Sequence, residues 1–279
     1  MRAVRRVAKL GLGPLGVALG PQDGPEFAAV LAGLEDAGYD TIWLTGGPMR
    51  SLSQVGAAVR ATRQVPVATG IIAVVRFAAA EVAATYAELE ERSPGRFVVG
   101  LGGAHGPKPL PTLGAYLDRL DTQPPTVPAD RRVLAALGPK MLGLARDRAA
   151  GALSVLVTAD YTARARELLG PDTALVVEQL IVPQTDPQLA RQYAREPLGF
   201  LSQMPAYQAH FRRMGFTDDD TSQLSDRLVD ALVVWGDEAT IAARVAEHRQ
   251  AGADQVAVNL ITGSPELPVA QWRRLADVL

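Results

Sequence analysis

The sequence predicts a parallel (β/α)8 barrel, and three observations predict it. Strand-like apolar runs alternate with helix-like stretches eight times over, and such alternation implies a parallel sheet with helices packed outside it. The runs recur mostly at intervals of roughly 30 residues, the length of one strand-plus-helix unit. Eight such units fill the 279 residues, a length that suits a single barrel, so the chain reads as one domain over residues 1–279. A doubly wound open sheet is the competing arrangement, because a pattern of elements does not by itself close a barrel.

The first strand is placed at 16–19. The first helix spans 25–37, with Pro25 at a first helical position and Gly38 just past the end. Residues 41–44 are the second strand and lead into Thr45-Gly46-Gly47-Pro48. Ser51 is expected to cap the next helix, which runs to about residue 62. The β-branched run 65–75 is the third strand, and helix 79–92 ends at Ser93-Pro94-Gly95. In the fourth strand Phe97, Val98 and Val99 form an unbroken apolar run, as in a strand covered on both faces. Gly100, Gly102 and Gly103 then let the backbone turn sharply and approach a ligand. A proline-rich excursion over 107–128, with a short helix at 113–120, is an insertion after this strand. Strands five, six and seven fall at 132–138, 153–157 and 174–182. They are joined by a helix over 139–150 and by one that starts from the cap Thr158 and ends at 169. Asp186 caps a helix to about residue 195. Residues 197–235, helical in pieces and rich in aromatics, form a second insertion, after strand seven. Helix 237–251 stops at Gly252, strand eight covers 255–261, and a closing helix follows.

Composition narrows the partners. With 48% apolar and 21% charged residues, the chain has a large core to bury and lacks the signature of disorder. The net charge of −2 and the absence of a basic block argue against nucleic acid and membrane surfaces. The sequence has no cysteine, which excludes disulfides, thiolate metal sites and iron–sulfur clusters and fits a cytoplasmic protein. His105, His210 and His248 lack the spacing of metal ligands, so no metal is expected. No apolar run reaches the roughly 18 residues of a membrane helix. Arg2, Arg5, Arg6 and Lys9 ahead of an apolar stretch mimic a signal peptide, but glycine and proline break that stretch and no Ala-x-Ala site follows. Gly11-Leu-Gly13-Pro-Leu-Gly16 spells the dinucleotide fingerprint without the helix and acidic residue that the fingerprint needs.

Function in such a barrel sits at the carboxyl ends of the strands. The candidate stretches are 45–49, 70–76, 102–107, 138–141, Thr158, 178–183 and 259–262. Gly138-Pro139-Lys140-Met141 opens a helix whose free N–H groups attract anions, and a lysine in that first turn opposes the helix dipole unless an anion sits nearby. The plain alternative is a solvated surface lysine. His105 is suited to hold a phosphate or carbonyl oxygen or to move a proton near neutral pH; the alternative is a loop histidine bonded to nearby backbone. His210 and His248 fall on predicted helices and read as structural. The sequence contains no nucleophile elbow, P-loop or Ser/His/Asp set, and Asp218, Asp219 and Asp220 read as a solvated turn.

Several motifs, in this order and spacing, resemble the luciferase-like monooxygenase superfamily, and most of all its small deazaflavin (coenzyme F420)-dependent oxidoreductases. They are Gly38-Tyr-Asp-Thr-Ile-Trp-Leu44, Ala68-Thr-Gly-Ile71, Ser93-Pro-Gly-Arg-Phe-Val-Val-Gly-Leu-Gly-Gly-Ala-His105 and Leu134-Ala-Ala-Leu-Gly-Pro-Lys-Met141. Ser225-Asp-Arg-Leu-Val-Asp-Ala-Leu232, Trp235-Gly-Asp237 and Ala251-Gly-Ala-Asp254 agree. The resemblance implies a bacterial luciferase-like barrel with a flat cofactor across its mouth. It implies a cis peptide at Gly70–Ile71 behind the cofactor ring. It also implies a phosphate seat between Gly102, Gly103 and His105 on one side and Gly138, Pro139, Lys140 and Met141 on the other. The chemistry implied is hydride transfer between coenzyme F420 and a small-molecule substrate, with the redox step carried by the cofactor, in a homodimer.

The sequence also departs from the resemblance. Many relatives carry an acid or histidine where this chain has Thr45-Gly46-Gly47, and polar or aromatic residues where it has Ala73 and Val75. His105 is then the remaining proton-transfer candidate, beside an apolar pocket lidded by Phe200, Tyr207 and Phe211. Two other functions fit the same scaffold: an FMN-dependent monooxygenase supplied by a partner reductase, and a non-catalytic flavin-binding protein, which the missing polar groups favour.

Overall fold

Strand β1 (Leu15–Leu19) pairs in parallel with β2 (Thr41–Thr45), and β2 with β3 (Val67–Gly70). The computed structural model from which this is read describes residues 10–104 and 106–279. After β3 the chain steps aside and resumes as β4 (Ile72–Ala73); both pair with β5 (Phe97–Gly102). The sheet continues through β6 (Arg132–Ala135), β7 (Gly151–Val155) and β8 (Ala174–Val182). A short β9 (Val233–Trp235) adds to the far end of β8. The last strand, β10 (Gln255–Leu260), pairs with β8 on one side and β1 on the other. The result is a closed barrel of eight parallel strands with helices between them, the fold that the alternation predicts.

Two apolar layers hold it. Inside the barrel, Ala18, Trp43, Ala68, Val98, Val133, Leu153, Val176 and Ala257 pack with Leu10 and Leu12. These side chains come from alternate positions of successive strands, as the two-residue period of a strand demands. Outside it, Val17, Ile42, Val67, Phe97, Val99, Leu175 and Val256 face the helices. A third cluster, containing Leu180, Leu198, Phe211, Leu228 and Val233, knits the helical segment between β8 and β10 onto the barrel.

The amino end of the barrel is plugged by a polar network. Trp43 Nε1 donates to Gln255 Oε1 at 2.7 Å, while Gln255 Nε2 donates to the Gly13 carbonyl at 2.7 Å and to Thr41 Oγ1 at 3.0 Å. Gly16 leaves room for it: a Cβ there would stand 3.1 Å from Gln255 Oε1 and from the Trp43 ring.

Several local expectations are met. Thr158 Oγ1 accepts from the Tyr161 N–H, Asp186 accepts from Gln188 and Leu189 N–H, and Pro25 opens a helix that Gly38 (φ 94°) follows. Other boundaries differ. The expected strand 65–75 is only Val67–Gly70 plus Ile72–Ala73, because the backbone leaves the sheet between them. Strand six begins at Gly151 and ends at Val155 rather than at 153–157, because Leu156 turns into a left-handed conformation at φ 55°. Ser51 is not the N-cap: Leu52 holds that place with no side-chain cap, and Ser51 Oγ accepts from the N–H of Ser53, the first helical residue. The helix after Asp186 runs on to Leu201 through Pro197. The helix of the first insertion extends over Pro109–Thr122. Among the described residues no helix is long and apolar enough to cross a membrane. The basic residues Arg2, Arg5, Arg6 and Lys9 lie outside the described residues.

Candidate functional site at the carboxyl mouth of the barrel

The mouth is shaped by the break between β3 and β4. The Gly70–Ile71 bond is cis, the geometry that the resemblance implies. Thr69 repairs the ladder where β3 swings away: its Oγ1 accepts from Gly100 N–H and donates to the Gly100 carbonyl, each at 2.9 Å. Three glycines make room for the displaced chain. A Cβ on Gly46 would lie 1.7 Å from the Ile71 carbonyl oxygen, and one on Gly100 would lie 1.7 Å from the Thr69 carbonyl oxygen. One on Gly102 would meet Ala135 Cβ at 2.7 Å and Ile71 Cγ1 at 3.1 Å. The Gly46 contact gives a physical reason for the plain Thr45-Gly46-Gly47 sequence: the place an acid or histidine side chain would leave from is filled by backbone. Arg76 ties this edge together by donating to the Gly47 carbonyl at 3.3 Å and the Met49 carbonyl at 2.6 Å.

Of the predicted cofactor residues, Gly70 and Ile71 lie at the end of β3, and Gly102 and Gly103 at the end of the neighbouring β5, with Gly103 turning at φ 68°. The Ile71 side chain reaches towards both glycines. Gly138 is the N-cap of the helix Pro139–Arg148, which follows β6; Pro139 and Lys140 are exposed and Met141 is half-buried. These stretches therefore sit on adjacent strand ends. Sequence reasoning missed Arg213, from the helix Pro205–Arg213, whose guanidinium nitrogen comes 3.6 Å from where a Gly138 Cβ would stand. Nothing in the local sequence around Arg213 marks it, because its place depends on how the insertion folds back. His105, the predicted catalytic and phosphate-binding histidine, lies outside the described residues.

The floor of the mouth holds a pair that sequence reasoning placed only within strand-end stretches. Glu178, on the inner face of β8, accepts from Asn259 Nδ2 of β10 at 2.7 Å through Oε1. It is the one acidic residue that is buried as a whole among the described residues. Burial pushes its carboxyl up to about 7, with the Asn259 hydrogen bond pulling the other way. Tyr207 is raised from its ordinary value by burial first and by the facing Glu178 charge second. Of the three aromatic residues expected to form a lid, Tyr207 alone is linked to the floor in this way. Phe200 is 69% exposed, and Phe211 is fully buried in the insertion's own core.

The other two histidines are locked away on helices, as the sequence suggests. His210 Nε2 donates to the Leu156 carbonyl at 3.1 Å, its ring meets Tyr161 edge-on at 4.9 Å, and burial lowers it to about 4. His248 lies between Thr162 Oγ1 and Gln179 Oε1, each at 2.9 Å, and burial lowers it likewise to about 4. Among the described residues no three His, Cys, Asp or Glu side chains are grouped to hold a metal. A cleft of about 690 Å³ opens at the opposite, amino end between Gly11, Glu35, Asp40 and Arg63. Its carboxylates are already engaged by backbone, Asp40 by Leu15 N–H and Glu35 by the N–H groups of Arg63, Gln64 and Val65.

Residues 13–119 match the model of the luciferase-like monooxygenase family, and the chain resembles that family in sequence. No curated protein matches it. An F420-dependent secondary alcohol dehydrogenase, solved with an F420–acetone adduct, is 14% identical, with a TM-score of 0.72 over 96% of this chain and 98% of that one. A coenzyme F420-dependent tetrahydromethanopterin reductase from Methanopyrus kandleri is 16% identical, with a TM-score of 0.68 and the same coverage. The oxygenating constituent of 3,6-diketocamphane monooxygenase from Pseudomonas putida, a type II Baeyer–Villiger monooxygenase solved with FMN, is 13% identical, with a TM-score of 0.61 over 95% and 96% of the two chains. At these identities the likeness is one of fold.

Proposed function

We propose that this luciferase-like barrel is an oxidoreductase that binds coenzyme F420 across its carboxyl mouth and exchanges a hydride between that cofactor and a small organic substrate. The observation that carries the reading is the shape of the mouth. Gly46, Gly100 and Gly102 give up their side-chain space to the displaced β3 edge, which brings the backbone around Gly70 and Ile71 to the mouth above a buried carboxyl. A flat ring suits a backbone edge of this kind. Gly70 and Ile71 would back the ring. Gly102, Gly103, Gly138, Pro139, Lys140 and Met141 would hold its phosphate end, with the exposed Lys140 in the first turn of a helix whose N–H groups favour an anion. The deazaflavin, when bound, supplies the hydride-exchanging carbon. In this reading His105 moves the accompanying proton, Tyr207 helps to keep water from the floor, and the protein works as a cytoplasmic homodimer.

A second reading replaces coenzyme F420 by FMN and hydride exchange by monooxygenation; the FMN-bound neighbour of the same fold favours it. Parallel fluorescence titrations of the purified protein with the two cofactors separate the readings. Tight binding of coenzyme F420 supports the first. Micromolar binding of FMN with none of coenzyme F420 replaces it by the second.

A further inference from the structure

Among the described residues, Glu178 is where the barrel breaks its own pattern. Asn259 apart, the inner wall around it is built from Ala68, Val98, Val133, Leu153, Val176 and Ala257. A carboxyl in such company costs stability unless it is paired, and a neutral isostere serves packing as well or better. Packing therefore does not account for it.

Its geometry is specific. Glu178 stands level with Val155 of β7 and Ala257 of β10, and its side chain crosses the barrel axis. Oε2 ends 3.8 Å from where a Gly70 Cβ would project, on the strand opposite. Oε1 is taken by Asn259. Oε2 has no hydrogen-bond partner among the described residues, although only 8% of the residue is exposed. Oε2 is not among the enclosed, unpartnered atoms of the described residues; on so buried a residue it is the part that opens toward the inner edge of the proposed ring site, where a ligand can meet it.

The chemistry follows from the partner. Asn259 Nδ2 carries protons only, so Oε1 acts as the acceptor of the carboxyl and any carboxyl proton sits on Oε2. We propose that Glu178, oriented by Asn259, presents Oε2 from the floor of the mouth as a hydrogen-bond donor to a carbonyl oxygen on the buried edge of the bound ring. The ligand class is a flat heterocycle with an imide or lactam edge, as the pyrimidinedione edge of flavins and deazaflavins provides. Glu178 is thus a ligand-binding residue additional to the strand-end glycines, and the inference rests on the cofactor reading above. The groups that face it are few. Asn259 is neutral, Tyr207 is the titratable side chain opposite it, and no cation of the described residues contributes to its titration. Binding through this atom then depends on the proton that burial keeps on Glu178 up to about pH 7.

The test compares the wild type with Glu178→Gln and Glu178→Leu by fluorescence titration with FMN and with coenzyme F420 from pH 5.5 to 8.5. Thermal melts are recorded alongside to exclude misfolding. Glutamine keeps an acceptor for Asn259 and a permanent donor for the ring. The ratio of wild-type to Glu178→Gln affinity cancels the titration of the ligand's own phosphate. The expected result is a ratio near one at pH 5.5 that falls about tenfold or more by pH 8.5, since each unit above a group's pKa removes up to tenfold of its neutral form. Glu178→Leu, which lacks the donor, binds weakly at every pH. A ratio constant across the range overturns the inference while the cofactor reading stands. Failure of the folded wild type to bind either ring at any pH overturns both.

Discussion

The two ends of the barrel interior are built from similar parts and treat them oppositely. At the amino end a buried amide, Gln255, has all of its hydrogen-bonding partners inside the protein: Trp43, Thr41 and the Gly13 carbonyl. At the carboxyl end a buried carboxyl, Glu178, has one. Glycines likewise serve both ends. Gly16 makes room for side chains of the plug, whereas Gly46 and Gly100 make room for backbone that has left the sheet. The first end is finished and the second is waiting for something. A barrel separates stability from function in this way because its closed sheet satisfies the backbone wherever the ends are left free to vary.

That contrast is most severely tested at Gly46. In Gly46→Ala the new methyl would stand 1.7 Å from the Ile71 carbonyl oxygen, a backbone atom that cannot rotate away. The expected cost is about 3 kcal/mol or more in unfolding free energy, at the top of the range for overpacking, together with loss of ring binding. Retention of both stability and binding would mean that the mouth is not shaped by close backbone approach.

Gln255→Ala probes the finished end. It strands the Trp43 indole N–H, which loses its acceptor among the described residues, and frees the Gly13 carbonyl. Leaving buried groups unpaired costs about 1–3 kcal/mol, read as a lower midpoint in urea with an unchanged slope. Ring affinity measured on the folded variant is expected to stay within about twofold. A large loss of affinity would show the two ends to be coupled.

Glu178→Gln acts in the opposite direction. The folded value of Glu178, about 7, lies above the ordinary 4.5, so the folded protein holds this proton more tightly than the unfolded chain does. Its favourable contribution is complete below pH 4.5 and is lost as pH rises through 7. The variant is therefore expected to match the wild type near pH 4.5 and to exceed it at pH 8 by about 3 kcal/mol, the order of a shift of this size. Equal stability at pH 8 would mean that the floor is wetter than its burial implies.

How much of this was legible in the sequence follows the range of the interactions. The strands and the caps at Thr158 and Asp186 were readable, since apolar runs and capping side chains act within a few residues. The break between β3 and β4 was absent from the hydrophobic pattern because Val65 to Val75 is apolar on both sides of Thr69 and Gly70; only the resemblance flagged Gly70–Ile71. Ser51 looked like a cap and is not one, because the helix starts two residues later, with Leu52 at its N-cap. Strand β9 sits among helical turns and exists only because β8 is long enough to pair with it. Glu178 and Asn259 are 81 residues apart, and their meeting depends on the register with which β10 closes the barrel, which no local pattern encodes.

The smallest expected effect gives the cleanest separation of the two ends. Lys140 is exposed and has no ion pair among the described residues, so Lys140→Ala should leave the melting temperature unchanged. Its proposed work is on a ligand phosphate at the start of the helix Pro139–Arg148, where Arg213 also approaches. An exposed cation acting beside helix N–H groups is worth a few-fold in affinity and is screened by salt. The variant should therefore bind phosphorylated FMN about fivefold more weakly at low ionic strength and riboflavin, which lacks the phosphate, unchanged. Arg213→Ala should do the same, and the double variant should lose less than the product of the two if both cations address one phosphate. Equal losses for FMN and riboflavin would move the phosphate away from Gly138. That would leave the wall at Gly46 to Ile71 and the floor at Glu178 as the part of the mouth that recognises the ligand.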